Sequence, residues 1–283
     1  MTLSSCINKT KKHLSEAGFT SAEISWMIRD IFAALKGYTQ VDLITRGDDE
    51  ITDWLASQVD SIVSEVCGGT PIQYALGQAR WLGMTLRVTP AVLIPRPETE
   101  QLADMAIAEA GDRTDLRVLD IGTGSGCIAI AMAHALRFPT VTAIDISQAA
   151  LDVATENAAQ LKAKITFKLE DILTATPVRD SYDIILSNPP YIAEKEMTDM
   201  SANVLMHEPH TALFVPDNDP VKFYRAIARY AAVSLSPGGS LWLEINPLYA
   251  AETRRAVADA GFMSIELIRD ERGKQRFIHA RQS

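Results

Sequence analysis

From the start of the chain to about Gly69, apolar residues recur every three or four positions. This spacing is typical of amphipathic α-helices, whose apolar faces pack against one another. Thr20 and Glu23 have the spacing of a capping box at the start of the second segment. We therefore predict a small all-α bundle over residues 1–69. The apolar positions of its three helices are Leu3, Ile7 and Leu14; Ile24, Ile28, Ile31, Phe32 and Leu35; and Ile51, Leu55, Val59, Ile62, Val63 and Val66.

After this bundle, between about Thr70 and Pro97, the helical period gives way to short extended pieces. Residues 81–84 and 85–88 are expected to pair as a hairpin through a tight turn. We therefore predict a β-hairpin linker over residues 70–96. A helix should begin at Pro97, because proline suits the first turn and the acidic residues after it suit the positive end of the helix dipole.

From residue 97 to the end, apolar strand-like runs alternate with helical segments. Such alternation predicts a parallel, twisted sheet with helices on both faces. The last two runs flank a polar turn and predict a C-terminal antiparallel hairpin. The fold class is therefore α/β, with a Rossmann-like domain over residues 97–283. The predicted strands are 116–121, 141–146, 165–169, 182–187, 240–245, 263–268 and 275–280.

Size and composition narrow the class of protein further. The chain has 283 residues, 47% of them hydrophobic, which is enough for two unequal domains. A formal net charge of −9 disfavours non-specific binding to a phosphate backbone. The three cysteines are odd in number and far apart, which suits reduced thiols and argues against a metal site. With no apolar signal core and no run of membrane-spanning length, a soluble cytoplasmic protein is expected.

A glycine-rich loop follows the first predicted strand of the α/β domain. It reads Asp120-Ile121-Gly122-Thr123-Gly124-Ser125-Gly126, and an apolar helix follows it. Glycines at a strand-to-helix turn let the backbone approach a ligand closely. The G-x-G-x-G spacing departs from the G-x-G-x-x-G pattern of dinucleotide binding by one residue. The loop therefore predicts a ligand with an amino-acid end and no phosphate, namely S-adenosylmethionine.

Acidic residues stand at the ends of the neighbouring predicted strands. Asp145 lies 145 − 126 = 19 positions after the last glycine, where a carboxylate can bind both ribose hydroxyls. At the end of the third strand, Asp171 could accept from the adenine amino group, and Ile172 could lie against the ring. Each acid alone could equally be a solvated loop charge or a helix cap. In series with Asp120, they favour a cofactor site, because ligands of open parallel sheets bind at the carboxyl ends of strands.

The fourth strand leads to the same edge and ends in Asn188-Pro189-Pro190-Tyr191. The Asn188 side chain and the Pro189 backbone each offer a carbonyl oxygen, and two prolines in succession stiffen the segment. Two such acceptors could grip the hydrogens of a planar –NH2 group and turn its lone pair toward an incoming methyl group. Tyr191 adds a flat ring on which a planar group could rest. Taken alone, the tetrapeptide fits a rigid strand-to-loop turn equally well.

Two other features invite a chemical interpretation. Cys127 directly follows the loop, but no histidine is placed by a motif to activate it, so small-residue packing is the expected role. His207, Glu208 and His210 resemble a metal cluster, yet histidines three apart beside a proline are usually loop residues. No metal site is predicted.

With the glycine-rich loop, Asp145 and the tetrapeptide, the chain resembles the class I methyltransferases, and more closely the peptide chain release factor glutamine methyltransferases. Further matching stretches extend over essentially the whole chain. Segment 96–100 is the most discriminating, because amino methyltransferases of nucleic acids share the Asn-Pro-Pro-Tyr pattern but not this one. The stretches are Pro71-Ile72-Gln73-Tyr74, Leu93-Ile94-Pro95-Arg96-Pro97-Glu98-Thr99-Glu100, Glu208-Pro209-His210-Thr211-Ala212-Leu213 and Gly273-Lys274-Gln275-Arg276.

The resemblance implies transfer of a methyl group from S-adenosylmethionine to the glutamine side-chain amide in the Gly-Gly-Gln motif of class 1 release factors, which modulates translation termination. It also implies an N-terminal helical domain that contacts the release factor. Partners would be release factors rather than nucleic acid or membrane, and a monomer is expected.

By the same resemblance, the loop lines the cofactor, Asp145 holds the ribose, and the residues after the third strand contact the adenine. The tetrapeptide holds the glutamine amide, with Tyr191 packing beside it. Ile172 departs from the aromatic residue that is common in relatives, and segment 214–220 lacks the expected glycines. The implied site residues are Gly122, Thr123, Gly124, Ser125, Gly126, Asp145, Asp171, Ile172 and Asn188 for the cofactor, and Asn188, Pro189, Pro190 and Tyr191 for the substrate, with Asn188, Pro189 and Tyr191 catalytic.

Two alternatives remain at this point. The same pair of acceptors would serve an amino methyltransferase that acts on an adenine or guanine of DNA or RNA, with the base stacked on Tyr191. The acidic net charge and the absence of a Lys/Arg-rich segment disfavour it. A non-catalytic scaffold that keeps the fold is the other alternative, and the intact glycines and Asn188 argue against it.

Overall fold

The computed structural model describes residues 1–200 and 202–282 and separates them into two compact units. The first consists of residues 1–78 together with 202–207, and the second of residues 79–200 and 208–282. Within the described residues, no helix is both long enough and apolar enough to cross a lipid bilayer.

The first unit is helical, and its core contains the apolar positions expected from the sequence. The capping box at the second helix is present, because the Glu23 carboxylate accepts from the Thr20 backbone nitrogen at 2.7 Å and Thr20 Oγ1 accepts from the Glu23 nitrogen at 3.3 Å. Three short helices were not predicted, because they are too short to show a helical period. The helices are α1 (Leu3–Glu16), α2 (Ser21–Lys36), α3 (Gln40–Thr45), α4 (Asp53–Cys67), α5 (Ile72–Leu76) and α9 (Ala202–His207).

The predicted hairpin is present, but its strands are β1 (Gln78–Trp81) and β2 (Met84–Arg87) rather than residues 81–84 and 85–88. The two-residue turn is Leu82-Gly83, with positive φ values of 45° and 72°. Positive φ at both central residues is the geometry of a type I′ turn, which matches the twist of the flanking strands. The first strand was predicted three residues too late and the second one residue too late. The reason is that leucine rarely adopts this conformation, so Leu82 was assigned to a strand.

The second unit contains a seven-stranded sheet in the order β10-β11-β9-β6-β3-β4-β5. The five strands from β9 to β5 are parallel, and β11 pairs antiparallel with both β9 and β10. This confirms the predicted α/β class and its C-terminal hairpin. The strands are β3 (Arg117–Ile121), β4 (Thr140–Asp145), β5 (Ile165–Leu169), β6 (Tyr182–Ser187), β9 (Leu235–Glu244), β10 (Ser264–Arg269) and β11 (Gln275–Arg281).

Helices cover both faces of this sheet, because successive residues of each buried strand point to opposite sides. On β3, Val118 belongs to the cluster with α6, α7 and the hairpin, whereas Leu119 belongs to the cluster with α11 and α12. Both residues are fully buried. The helices are α6 (Pro97–Ala110), α7 (Cys127–Ala135), α8 (Gln148–Gln160), α11 (Lys222–Ser234) and α12 (Ala250–Asp259).

One region after the tetrapeptide has structure that the sequence did not indicate. Strands β7 (Ile192–Ala193) and β8 (Phe214–Val215) pair in parallel, and α10 (His210–Leu213) leads into β8. A strand of two residues is too short to show an alternation of apolar and polar residues, so the sequence did not predict β7 and β8.

A partly buried carboxylate on α6 links this helix to the antiparallel part of the sheet. Glu109 accepts hydrogen bonds from Ser240 at 2.7 Å and from the Trp242 indole at 2.8 Å, and Oε1 lies 3.0 Å from His279 Nε2 and 2.7 Å from Arg281 Nη2. Burial raises the pKa of Glu109, but the hydrogen bonds from His279, Ser240 and Trp242 outweigh it and hold the pKa at about 2. The folded state therefore favours the ionised form of the Glu109 carboxyl over the protonated form.

We expect Glu109→Gln to lower the free energy of unfolding at neutral pH by roughly 2–3 kcal/mol, because an amide cannot accept from all four donors. A depressed folded pKa gives stability that is present above the unfolded value of 4.5 and is lost as pH falls toward about 2. The difference between variant and wild type should therefore shrink over that range. Urea unfolding at several pH values measures it, with Asp104→Asn, an exposed position on the same helix, as the control. A difference that stays constant with pH would contradict this role of Glu109.

Candidate functional site

A cavity of about 370 Å³ lies in the second unit, at the carboxyl ends of β3, β4, β5 and β6. Strand order reverses here, since β3 lies between β4 and β6, and such switch points are where open parallel sheets bind ligands. Most of the predicted site residues line the cavity, namely Gly122, Thr123, Gly124, Ser125, Asp145, Asp171, Ile172, Asn188, Pro189 and Pro190. Gly126 and Tyr191 do not.

The glycine-rich loop forms one wall of the cavity. Gly122 and Gly124 have positive φ values of 71° and 54°, and a Cβ at either would have open space around it. The open space is consistent with close approach of a ligand to the backbone. Gly126 differs, because it is the N-cap of α7 and a Cβ there would lie 3.1 Å from Ala154 Cβ. Gly126 therefore allows α7 to pack closely against α8, and its predicted contact with the cofactor stays a prediction.

Asp120 lies beneath this loop and not on the cavity wall. It is fully buried, and Oδ2 accepts from Thr123 Oγ1 at 2.6 Å and from the Ala129 nitrogen at 3.2 Å. Within the described residues Oδ1 has no hydrogen-bond partner, and burial raises the pKa of Asp120 to about 7. The series of three acids at the strand ends is thus two acids in the cavity and one that supports the loop.

Three acids lie on the cavity wall, Asp145, Glu170 and Asp171, and the first and last of them hold backbone groups in place. Asp145 Oδ2 accepts from the Gly124 nitrogen and Oδ1 from the Ser147 nitrogen, both at 2.9 Å. Burial raises the pKa of Asp145, although these backbone hydrogen bonds oppose the shift. Asp171 Oδ1 accepts from the Leu173 nitrogen at 2.9 Å. Because a carboxylate oxygen can accept more than one hydrogen, Asp145 and Asp171 keep capacity for ligand hydroxyl or amino groups.

The apolar side chains around Asp171 are more numerous than the sequence suggested. Besides Ile172, the cavity wall includes Ile146 and Leu173, with exposures of 63% and 39%. Three aliphatic side chains therefore offer apolar surface against which a heterocyclic ring could pack.

The tetrapeptide after β6 is held at both ends. Ser187 Oγ, just before it, donates to the Ile121 carbonyl at 2.7 Å, and the Tyr191 carbonyl accepts from Asn246 Nδ2 at 3.0 Å. Between them, Asn188 Nδ2 donates to Thr99 Oγ1 at 3.0 Å. With its nitrogen used in this way, the Asn188 amide has its oxygen Oδ1 left to accept from a ligand.

Tyr191, which the sequence suggested as a platform for a planar group, is not among the residues that line the cavity, and its role toward the substrate stays a prediction. Its ring packs against the core cluster that contains α11, and its hydroxyl donates to Glu244 at 3.1 Å. Burial raises the pKa of Tyr191 well above its usual range, so the phenol stays neutral and remains a donor. These two contacts hold Tyr191, and with it the last residue of the tetrapeptide, against the core.

Two family models match the chain, the PrmC N-terminal domain over residues 5–77 and the Methyltransferase small domain over residues 102–216. A release factor glutamine methyltransferase from Bacteroides thetaiotaomicron is 42% identical, over 86% of this chain and 87% of that protein. Proteins of the same name from Flavobacterium psychrophilum and Koribacter versatilis are 38% and 34% identical, over 92% and 100% of this chain and 92% and 99% of those proteins. The chain belongs to the release factor glutamine methyltransferase family.

Solved structures with lower sequence identity share the fold. A methyltransferase from Pyrococcus furiosus has a TM-score of 0.51 at 18% identity, covering 71% of this chain and 90% of that one. A 16S rRNA N2 G1207 methyltransferase from T. thermophilus, in complex with AdoMet and guanosine, has a TM-score of 0.54 at 19% identity and covers 73% of this chain and 50% of that one. These likenesses confirm the Rossmann-like methyltransferase fold.

Two stretches that carried the family resemblance meet through an ion pair. Arg96, on the cavity wall, pairs with Glu208 at 2.5 Å, and Glu208 Oε2 also accepts from the Ile94 nitrogen at 3.3 Å. Glu208 is buried. Within the described residues, no cluster of three or more His, Cys, Asp or Glu side chains could hold a metal ion. A partner more than a hundred positions away gives no signal in a single sequence, so this role of Glu208 was missed.

A second missed residue supports the glycine-rich loop. Asn157 of α8 is fully buried and donates to the carbonyls of Ser125 at 2.9 Å and Arg87 at 3.0 Å. Its Oδ1 accepts from the Arg87 nitrogen at 2.6 Å. Asn157 therefore joins the loop to strand β2, and an amide on the apolar face of α8 was the sequence signal for such a role.

Cys127 is among the residues that line the cavity, but its thiol is not activated as a nucleophile. It is buried, and burial raises the pKa of its thiol to about 12, so the thiolate is not formed near neutral pH. Its side chain belongs to the core cluster between α6 and α7.

Proposed function

We propose that this protein transfers a methyl group from S-adenosylmethionine to the side-chain amide nitrogen of the glutamine in the Gly-Gly-Gln motif of class 1 peptide chain release factors. Membership of the release factor glutamine methyltransferase family supports the reaction and the substrate class. The observation that carries the mechanism is the Asn188 amide at the cavity, whose nitrogen donates to Thr99 and whose oxygen can therefore accept from a ligand.

The cavity fits S-adenosylmethionine by the chemistry of its wall. The open space over Gly122 and Gly124 admits close approach to the backbone, while Asp145 and Asp171 can accept from the hydroxyl and amino groups of an adenosine. Ile172 and its aliphatic neighbours offer apolar area for the base. When bound, S-adenosylmethionine supplies an electrophilic methyl group carried on a sulfonium.

The tetrapeptide supplies orientation. Asn188 Oδ1 and the Pro189 carbonyl each accept one hydrogen of the glutamine –NH2 group, and Pro190 limits their movement. A planar amide nitrogen is a weak nucleophile, because its lone pair is delocalised into the carbonyl. Two acceptors that pull on its hydrogens increase the electron density on nitrogen and fix its direction, so no proton has to be removed before the N–CH3 bond forms. As that bond forms, the S–CH3 bond breaks, its electron pair stays on sulfur, and S-adenosylhomocysteine is the leaving group. The methylated nitrogen then loses one proton to water, which gives a neutral N-methyl amide.

Incubating the protein with labelled S-adenosylmethionine, purified release factors and nucleic acids tests the proposal. We expect the label on a single glutamine of a release factor and none on DNA or RNA. Label on an adenine or guanine amino group would favour the alternative amino methyltransferase activity.

We also propose that the protein is a cytoplasmic monomer. Its helical domain, residues 1–69, docks the release factor. Residues 70–96 link this domain to the catalytic domain, residues 97–283. Helix α3 is one candidate for the docking face, because it contains no buried residue and its Val41 and Ile44 are 65% and 75% exposed. Apolar side chains at this exposure contribute little to the fold and are available to a partner.

We expect Ile44→Glu to raise the KM for an intact release factor about tenfold and to leave the KM for a short Gly-Gly-Gln peptide unchanged, since a charge at a docking surface costs on the order of 1–2 kcal/mol. Initial rates on the two substrates measure the split. Met263→Glu, at an exposed apolar position in the second unit, is the matched control. Equal effects on protein and peptide would contradict a docking role for α3.

A further inference from the structure

A chain of hydrogen bonds runs behind the Asn188 amide into the protein interior. Asn188 Nδ2 donates to Thr99 Oγ1 at 3.0 Å, and Thr99 Oγ1 donates to Glu244 Oε2 at 2.7 Å. Thr99 and Glu244 are buried, with exposures of 3% and 1%. The three residues come from a loop, from the first turn of α6 and from the end of β9, so the network exists only in the folded unit.

The direction of the Asn188 amide matters for the proposed reaction. The oxygen and nitrogen of an asparagine side chain occupy similar space, and a half-turn exchanges them. Asn188 provides an acceptor for the substrate –NH2 group only when its Oδ1 faces the cavity. In the reversed orientation its own –NH2 group would face the substrate, and the hydrogens of the two groups would repel each other.

An ionised Glu244 selects the productive orientation. A carboxylate can only accept, and a threonine hydroxyl has a single hydrogen to donate. With Glu244 ionised, Thr99 must donate to it and can then only accept from Asn188. Nδ2 of Asn188 is therefore drawn inward, and Oδ1 is left facing the cavity.

We propose that Thr99 and Glu244 are positioning residues that set the direction of the Asn188 amide, and that methyl transfer requires the carboxylate form of Glu244. This inference rests on the proposed function and adds two residues to it. A protonated Glu244 can donate to Thr99, which then donates to Asn188 Oδ1 and favours the reversed amide.

The surroundings of Glu244 place this switch near neutral pH. Burial raises the pKa of Glu244 to about 7, although hydrogen bonds from Thr99 and Tyr191 and the charge of Arg276 lower it. Because the carboxylate is the active form, activity is expected above this pKa and is lost as pH falls through it. The titratable groups that interact with Glu244 are Glu98 of α6, Cys127 of α7, Tyr191, Tyr224 of α11 and Arg276 of β11.

The test is the single-turnover rate of methyl transfer to an intact release factor, measured from about pH 5.5 to about pH 9 with the full chain. For wild type we expect the rate to fall on the acid side with an apparent pKa of about 7. Thr99→Val removes the hydroxyl with little change of shape, so the rate at high pH should fall about tenfold and the residual rate should no longer depend on pH near neutrality. Thr99→Ser, which keeps the hydroxyl, should restore both the rate at high pH and the fall of the rate toward low pH. This fall is the acid limb of the pH profile.

Tyr191→Phe is the second variant, and it decides the question if Thr99→Val does not fold. It removes a donor that stabilises the Glu244 carboxylate, so the acid limb should move to higher pH. A purely structural network would lower stability without moving this limb.

The proposal is overturned if the wild-type rate is flat across neutral pH, if Thr99→Val keeps the wild-type limb, or if the limb does not move in Tyr191→Phe. Absence of methyl transfer by wild type at every pH would instead refute the proposed function. S-adenosylmethionine affinity, followed by calorimetry, is expected to stay within about threefold in all variants.

Discussion

Replacing Asn188 by alanine is expected to lower the single-turnover rate of methyl transfer about a hundredfold, because removal of one preorganised hydrogen-bonding group from a reaction site costs rates of this order. The affinity for S-adenosylmethionine should change little, because the glycine-rich loop, Asp145 and Asp171 are untouched. Rapid-quench measurement of the rate and calorimetry of cofactor binding separate the two quantities.

The control for this variant is Asn218→Ala, which changes an exposed asparagine of the same unit. It should leave both the rate and the affinity at wild-type values. Methyl transfer by Asn188→Ala at the wild-type rate would remove Asn188 from the mechanism. Loss of cofactor affinity together with the rate would mean that Asn188 acts mainly on the cofactor side of the cavity.

The second large effect is expected at Asp145, on the opposite side of the cavity wall. Asp145→Ala removes the carboxylate that can accept from ribose hydroxyls and also frees the Gly124 nitrogen. Because hydrogen bonds to a charged group contribute about 1.5–3 kcal/mol, the affinity for S-adenosylmethionine should fall roughly 10- to 100-fold. Isothermal calorimetry measures this directly.

Asp152→Ala is the matched control for Asp145→Ala, since Asp152 is an exposed carboxylate on the helix that follows β4. Its affinity for S-adenosylmethionine should equal that of wild type. Asp145→Asn should be intermediate, because it retains one acceptor oxygen. Unchanged affinity in Asp145→Ala would refute the ribose assignment.

The fold was predictable where the sequence carries a clear period. Residues 165–169 and 182–187 were predicted as strands and have those bounds in the structure. Segment 182–187 contains the continuous apolar run of a buried parallel strand, whereas segment 165–169 alternates apolar and polar residues. The glycine-rich loop and the tetrapeptide were predictable for a related reason. Both follow such runs directly, and strand ends in a parallel sheet meet at one edge.

Which side chains at that edge face the cavity was less predictable. Asp120, Gly126 and Tyr191 all belong to recognisable motifs, yet none of them is among the residues that line the cavity. The direction of a side chain at a strand end depends on what packs against it from distant parts of the chain. Periodicity does not report those contacts.

The network behind Asn188 was missed for the same physical reason. Thr99 was part of a stretch that matched the family, but nothing in that stretch pointed to Glu244, 145 positions away. Glu244 lies within the predicted strand 240–245, to which no role in the site was assigned from the sequence. Buried polar groups find partners through tertiary structure, so their pairing becomes visible only in the fold.

In the proposed mechanism, Asn188 Oδ1 and the Pro189 carbonyl hold the glutamine amide. The most direct test is a crystal structure of the protein with S-adenosylhomocysteine and a Gly-Gly-Gln peptide. We predict that the glutamine amide nitrogen lies within about 3.2 Å of both oxygens and that Asn188 Nδ2 donates to Thr99 Oγ1. A glutamine nitrogen more than about 4 Å from both oxygens, beyond hydrogen-bond reach, would contradict the account.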